Sequence, residues 1–429
     1  PPLSIKAGLL IPSNTSFLMP FENTAGAFTV ALDRIRNENL LPAGTNFTLY
    51  WRYEECMEST SMGYSLELVH DIGVDVLFAP PCIDGSLIAG HVGTYYNIPV
   101  MLWGMTFDSE FANVNTFPTT MSVISNYKDM GNVICDLLKY YDWTSFALIY
   151  QADEDGSCFS FQEDIEAISQ QRENCLIGYQ EPVDSWADVD IKFTINQIKN
   201  NARIIVLCFD DNIQQRQFAI TLAENGMNTN EYLYIIPDAD MKIAVGLEET
   251  PWWIDTTGAT TSKDAAAKTI GLHSLVVGNV NTKVAADTGK NYETQFVNFS
   301  KQVMAKMSDW PFYCPTCNRG QNASAYASTL YDVVYLYGLV LSNTIKQYGL
   351  NSTIYRNGRL ITKNSDLEFE GMSGPVRLGP DGVRDSTYAI FGYDDAGKRV
   401  QYLSFATSDT GIVRDLILIR DKADPVRKF

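Results

Sequence analysis

From the amino end, short β-branched or apolar runs alternate with stretches whose apolar positions recur every three to four residues. This is the pattern of repeated strand–helix–strand units around a parallel sheet. Ile5 to Ile11 predicts a strand, and Phe28, Ala31, Leu32 and Ile35 fall on one face of a helix. A strand at Phe47 to Tyr53, a helix around Ser59 to Asp71, a strand at Val74 to Ala79, a helix around Ser86 to Tyr96 and a strand at Pro99 to Trp103 complete a Rossmann-like lobe of four strands. The same grammar restarts after Phe117. Helices over Asn126 to Tyr141, Phe159 to Gln171, Asp188 to Asn200 and Ile213 to Asn225 alternate with strands at Ser145 to Tyr150, Cys175 to Gln180, Arg203 to Phe209 and Tyr232 to Pro237.

The pattern lapses between Lys242 and Ala267, where Trp252 and Trp253 stand among Thr, Gly and small residues, and a surface excursion over 241–264 is predicted. A strand at Leu272 to Val277, helices at Tyr292 to Lys306 and Ala325 to Tyr348, and β-rich sequence from Phe369 onward follow. The expected fold is a two-lobed α/β clamshell, each lobe a parallel sheet flanked by helices. Residues 1–117 and 265–370 form one lobe, and residues 118–240 and 371–429 the other. Crossovers are expected near residues 115–120, 238–270 and 368–374, and three linking strands would permit closure.

Length agrees with two cores: 429 residues with 45% apolar side chains are too many for one. A net charge of −19 repels polyanions and sets nucleic acid aside as a partner. The chain opens at Pro1 without a signal-like segment, and no run of eighteen apolar residues occurs, so a membrane is expected to matter only through a segment absent from this chain. The nearest approach, Tyr331 to Leu341, carries Asp332 and reads as a buried helix.

Eight cysteines are compatible either with bridges in a secreted protein or with reduced thiols. In the inferred topology Cys56 and Cys82 both follow carboxyl ends of strands in the first lobe and can meet. Cys158 and Cys208 share one sheet edge in the second. Cys175 lies beyond a helix of about thirteen residues from Cys158, about 20 Å away, which argues against that pairing. Cys314 and Cys317, in Cys-Pro-Thr-Cys, fit a local loop-pinning disulfide better than a zinc half-site, because His70, His91 and His273 are scattered. Cys135 and Cys175 remain unassigned, and buried free thiols are expected. Sequons at Asn14, Asn46, Asn298, Asn322 and Asn351 are about as many as composition alone produces.

No nucleophile elbow, phosphate-binding loop or metalloprotease motif is present, and no motif requires a cofactor or metal. The loop after the first strand, Pro12-Ser13-Asn14-Thr15-Ser16, is polar and lacks glycine, which suits a small polar group rather than a pyrophosphate. Strand-end residues are therefore the candidates for a ligand cleft: Ser13, Asn14, Trp103, Gly104, Tyr150, Gln151, Asp210 and Asp238. The acidic pairs Asp210/Asp211 and Asp238/Asp240 are explained as readily by helix capping as by acid–base chemistry. Tyr95, Tyr96, Trp103, Phe107 and Phe111 could mark a dimer face or be core.

The stretch Phe369 to Tyr388, FEGMSGPVRLGPDGVRDSTY, resembles the Phe-x-Gly-x-x-Gly-x-Val, Asp-Gly-x-Arg and Tyr signature of the atrial natriuretic factor receptor ligand-binding family. Tyr326 to Leu341 is similar to that family's Tyr-Asp-Ala-Val-Tyr helix, Phe78 to Cys82 to its third-strand end with a cysteine, and Gly26 to Ile35 to its first helix. The overall character is nearest to the extracellular regions of nematode receptor-type guanylate cyclases. The resemblance implies a type I periplasmic-binding-protein fold whose lobes are membrane-distal and membrane-proximal, respectively. It also implies an extracellular ligand, a homodimer, and an intracellular cyclase that this chain does not contain. It matches Cys56–Cys82 and Cys158–Cys208 to family bridges. Family members place a chloride against N–H groups before the matching cysteine, where this chain has Pro81, which has no N–H. A solute-binding protein is the second reading, against which eight cysteines weigh. An amino-acid receptor is a third, against which Pro81-Cys82-Ile83-Asp84 stands in place of hydroxyls.

Overall fold

The computed structural model describes residues 2–16, 18–151, 156–238, 251–279, 292–317, 320–350, 353–385, 387–394, 396–406 and 417–418. The chain divides into two α/β units. Among the described residues, the first holds those up to Asn126 and 292–385, and the second holds 127–279 and those from 387 onward.

In the first unit, β1 (Ser4–Ile11), β2 (Asn46–Tyr53), β3 (Val76–Phe78), β4 (Val100–Leu102) and β5 (Thr120–Ser122) form a parallel sheet ordered β2-β1-β3-β4-β5. β5 is a fifth strand that the sequence pattern does not show. It is three residues long and falls where a crossover is expected. The last five positions of β1 are all buried, as befits a strand covered on both faces. Phe28, Ala31, Leu32 and Ile35 are buried on the helix Gly26–Asn37, as their spacing predicts. The helix Ala327–Tyr348 is buried along most of its length. No described helix is long and apolar enough to cross a membrane.

In the second unit, β6 (Ser145–Gln151), β7 (Leu176–Val183), β8 (Ile204–Cys208), β9 (Leu233–Asp238) and β10 (Ser274–Asn279) run parallel. The chain then returns to the first unit for a small antiparallel sheet of β11 (Leu367–Glu370), β12 (Pro375–Leu378) and β13 (Arg384–Asp385). It ends in the second unit with β14 (Thr387–Tyr393), β15 (Arg399–Ala406) and β16 (Ile417–Leu418), added antiparallel in the order β16-β15-β14-β10-β9-β8-β6-β7.

Three expectations need correction. The segment from 265 to 279, read as part of the first lobe, lies in the second unit, because β10 pairs in parallel with β9 and antiparallel with β14. The first unit extends through β13 rather than ending near 370. Residues 251–264 are not a loose excursion, since Trp253 is 2% exposed in the second core and meets the Tyr393 ring edge-on at 4.6 Å. Arg216 ties this segment down, its Nε donating to the Trp253 carbonyl at 2.9 Å and its terminal nitrogens to Thr260 and Asp264. A buried guanidinium needs several acceptors, and this Thr-rich turn supplies them. Residues 241–250, including the rest of the predicted excursion, and Asp240 lie outside the described residues.

Four disulfides form, with Cα–Cα distances of 5.7 Å for Cys56–Cys82, 5.2 Å for Cys135–Cys175, 5.4 Å for Cys158–Cys208 and 5.5 Å for Cys314–Cys317. Cys135 and Cys175 are thus bridged and not free thiols. The helix Tyr127–Tyr140 descends to the amino end of β6, and the turn before β7 ends at that same edge, which brings the two cysteines together.

Candidate functional site

At the carboxyl edge of the first unit's sheet, the loop after β1 closes over a carboxylate that the sequence reading passed over. The Ser13 backbone N–H and hydroxyl donate to Glu55 at 2.9 and 2.6 Å, and the Asn14 N–H donates at 3.3 Å. Partial burial works to raise the Glu55 carboxyl. The hydrogen bonds from Ser13 and Asn14 outweigh it and hold the group below its ordinary range. Glu54, fully buried, accepts from the Cys56 and Met57 N–H groups at 3.0 and 2.8 Å and from the Thr60 hydroxyl at 2.8 Å, which fixes the start of the helix Glu58–Leu66. Cys56, at φ 62°, then turns toward Cys82. Ser13, Asn14 and Glu55 therefore form one polar edge beside a disulfide-pinned loop.

Trp103 and Gly104 do not join that edge. Trp103 is completely buried, donating from Nε1 to the Ala79 carbonyl at 2.8 Å and accepting at its own carbonyl from the Thr329 hydroxyl. Gly104 is a spacer, because a Cβ there would stand 2.3 Å from Pro81 Cα. That close approach lets the Met105 N–H reach the Pro81 carbonyl at 2.6 Å. Among the aromatic residues considered for a dimer face, Phe107 and Phe111 are also core, while Tyr95 is 83% exposed.

In the second unit the candidates cluster at the carboxyl ends of three neighbouring strands. Gln151, at the end of β6, accepts the Asp210 N–H at 3.1 Å. Asp210, just past β8, accepts the Cys158 N–H at 3.1 Å beside the Cys158–Cys208 bridge. Asp238 ends β9, half-buried, and Tyr150 is nearly buried at 8% exposure. Asp211 caps the helix Asn212–Glu224 by accepting the Gln214 N–H at 2.7 Å, the structural role that sequence reasoning allowed it.

The two signature segments converge in the first unit. The carboxylate of Asp332, on the helix Ala327–Tyr348, accepts the Met372 and Ser373 N–H groups at 2.6 and 2.9 Å and the Ser373 hydroxyl. That hydroxyl in turn accepts from Arg384 at 2.7 Å, and Arg384 also donates to the Val123 and Pro375 carbonyls at 3.1 and 2.7 Å. Gly371 is required because a Cβ would meet the Asp332 oxygens at 2.5 Å. Gly382 offers its carbonyl to the Ser122 N–H at 2.8 Å. The motif spacing of glycines, Ser373 and Arg384 is thus the spacing needed to enclose one buried carboxylate.

Desolvation pushes the Asp332 carboxyl up to about 6, against the opposing pull of Ser373, the Arg384 charge and the Met372 N–H. In the unfolded chain an aspartate titrates near ~3.9, so between these values the native state holds the proton that the unfolded state has lost. Stability from this group is complete below about pH 4 and is lost as pH rises through about 6. Asp332→Asn is expected to remove that slope, about 3 kcal/mol across the window. Urea midpoints of the two proteins measured from pH 4 to 7 check it; parallel curves would count against the assignment.

The sequon residues Asn14, Asn46, Asn298 and Asn322 are exposed, and Asn351 lies outside the described residues. The family profile described as "Receptor family ligand binding region" matches residues 23–396. Curated relatives in Caenorhabditis elegans include the receptor-type guanylate cyclases gcy-13, 26% identical over 92% of this chain and 39% of that protein, and gcy-7, 27% identical over 87% and 34%. A third, gcy-14, is 26% identical over 99% of this chain and 40% of its own length. The chain spans about two-fifths or less of these relatives, and what it shares with them is the ligand-binding region. It belongs to the family of receptor ligand-binding regions.

Proposed function

We propose that this chain is the extracellular ligand-sensing region of a single-pass receptor guanylate cyclase, that it works as a homodimer, and that ligand binding is relayed to an intracellular cyclase outside this chain. The observation that carries the reading is the family match over 23–396, together with relatives whose names are receptor-type guanylate cyclases. Four disulfides, which leave no free cysteine among the described residues, support an oxidising compartment. Ligand contacts are assigned to the polar carboxyl-edge residues Ser13, Asn14 and Glu55 of the first unit and Gln151, Asp210 and Asp238 of the second. Trp103, Gly104 and Tyr150 are left out on account of their burial.

Sedimentation velocity of the secreted, glycosylated fragment over a wide concentration range, with non-reducing peptide mapping of the same sample, tests the proposal. A reversible dimer carrying all four bridges is the expected result. A strict monomer at every concentration would overturn the dimeric receptor reading in favour of a solute-binding protein.

A further inference from the structure

The first unit has a concavity on the edge of its sheet opposite to Ser13 and Glu55. Val69, Tyr96, Asn97, Ile98, Thr353, Arg356 and Asn357 line a cavity of about 400 Å³ that opens to solvent. Ile98 lies two residues before β4, and Asp75, which meets Arg356, directly precedes β3, so the cavity sits at the amino ends of strands. Its size lies within the range of about 300–1,000 Å³ typical of small-molecule sites.

Its polar groups are unequally engaged. Asn97 and Asn357 are spent on the wall itself. Asn97 Nδ2 donates to Asn357 Oδ1 at 3.2 Å, and the Arg359 and Leu360 N–H groups donate to Asn97 and Asn357 at 3.0 and 3.2 Å. Arg356 differs. Its Nε meets Asp75 at 3.2 Å, and its two terminal nitrogens make no hydrogen bond among the described residues. Asp75, 4% exposed, also accepts the Lys6 backbone N–H at 2.7 Å. The Lys6 ammonium itself donates to the Ile72 carbonyl at 2.9 Å, so Arg356 is the cation that faces the cavity. The floor is apolar: Val69 and Ile98 are buried, and the half-buried Tyr96 presents a ring whose hydroxyl has no partner among the described residues.

We propose that this cavity binds a small carboxylate with an apolar body, its two oxygens on the free terminal nitrogens of Arg356 and its apolar part on Val69, Ile98 and Tyr96. Arg356 is about half exposed, and its planar guanidinium edge matches a carboxylate bidentately, a geometry that a lysine ammonium does not offer. The site lies within one unit and depends on neither the identity of the signalling ligand nor dimerisation.

Benzoate is the probe, and benzamide its neutral counterpart of like shape. Saturation-transfer NMR on the intact chain is expected to show saturable benzoate binding at about millimolar or tighter, with benzamide at least about tenfold weaker. Arg356→Gln is expected to lose the benzoate response. That variant also strips Asp75 of a cation, so the wild-type protein is treated with phenylglyoxal as well and mapped by mass spectrometry, where benzoate should protect Arg356 from modification. Non-saturable binding, equal binding of benzamide, an undiminished response in folded Arg356→Gln, or Arg356 modified equally with and without benzoate would each overturn the proposal.

Discussion

Replacing Arg384 by alanine is expected to lower the unfolding free energy by about 3–5 kcal/mol, the usual result of removing one partner from a buried charged network. The substitution strands the fully buried Asp332 without its compensating cation and leaves the Ser373 hydroxyl and the Val123 and Pro375 carbonyls without their donor. Arg384→Lys keeps the charge but cannot reach three acceptors at once, so it should fall between the two. Urea unfolding followed by circular dichroism measures all three proteins. An alanine variant within about 1 kcal/mol of wild type would mean that the network is not what holds β12 and β13 to the helix Ala327–Tyr348.

The second large effect is expected at Cys135–Cys175. Closing 40 residues of chain restricts the unfolded state enough to contribute about 4 kcal/mol, whereas Cys314–Cys317, three residues apart, is worth about 2. Converting Cys135 and Cys175 together to serine should therefore destabilise the chain about twice as much as converting Cys314 and Cys317. The two double variants are compared by thermal unfolding under non-reducing conditions. Equal shifts would show that loop length does not govern the contribution of these bridges.

Much of the fold was legible because its strands are flanked on both sides. β1 and the helix Gly26–Asn37 announce themselves through runs and spacings that burial then explains. Where the reading failed, it depended on partners remote in the chain. Nothing local to Ser274–Asn279 says that it pairs with Leu233–Asp238 and Thr387–Tyr393 rather than with the first sheet. Trp103 at a strand end looked like a ligand contact, and only Ala79 and Thr329 make it core. Trp253 looked exposed until Arg216 and Tyr393 closed over it. The Cys135–Cys175 bridge was within reach of the topology, since the end of the first helix of the second unit and the start of β7 must lie at the same sheet edge. Ser13 and Asn14, proposed here as ligand contacts, follow from the strand-end pattern. Glu54 and Glu55 were missed because adjacent acids after a strand read as solvated surface, and Asp332 was used only to argue against a membrane span.

The two fully buried tryptophans are distributed one to each unit, Trp103 in the first and Trp253 in the second, and the remaining five are half-buried or exposed. An indole sealed from water emits at shorter wavelength than an exposed one. A pair of proteins, each with one of these two tryptophans changed to phenylalanine, would therefore carry a separate optical reporter for each core. During denaturation their blue-shifted emission would disclose whether the two cores melt as one cooperative block or one after the other.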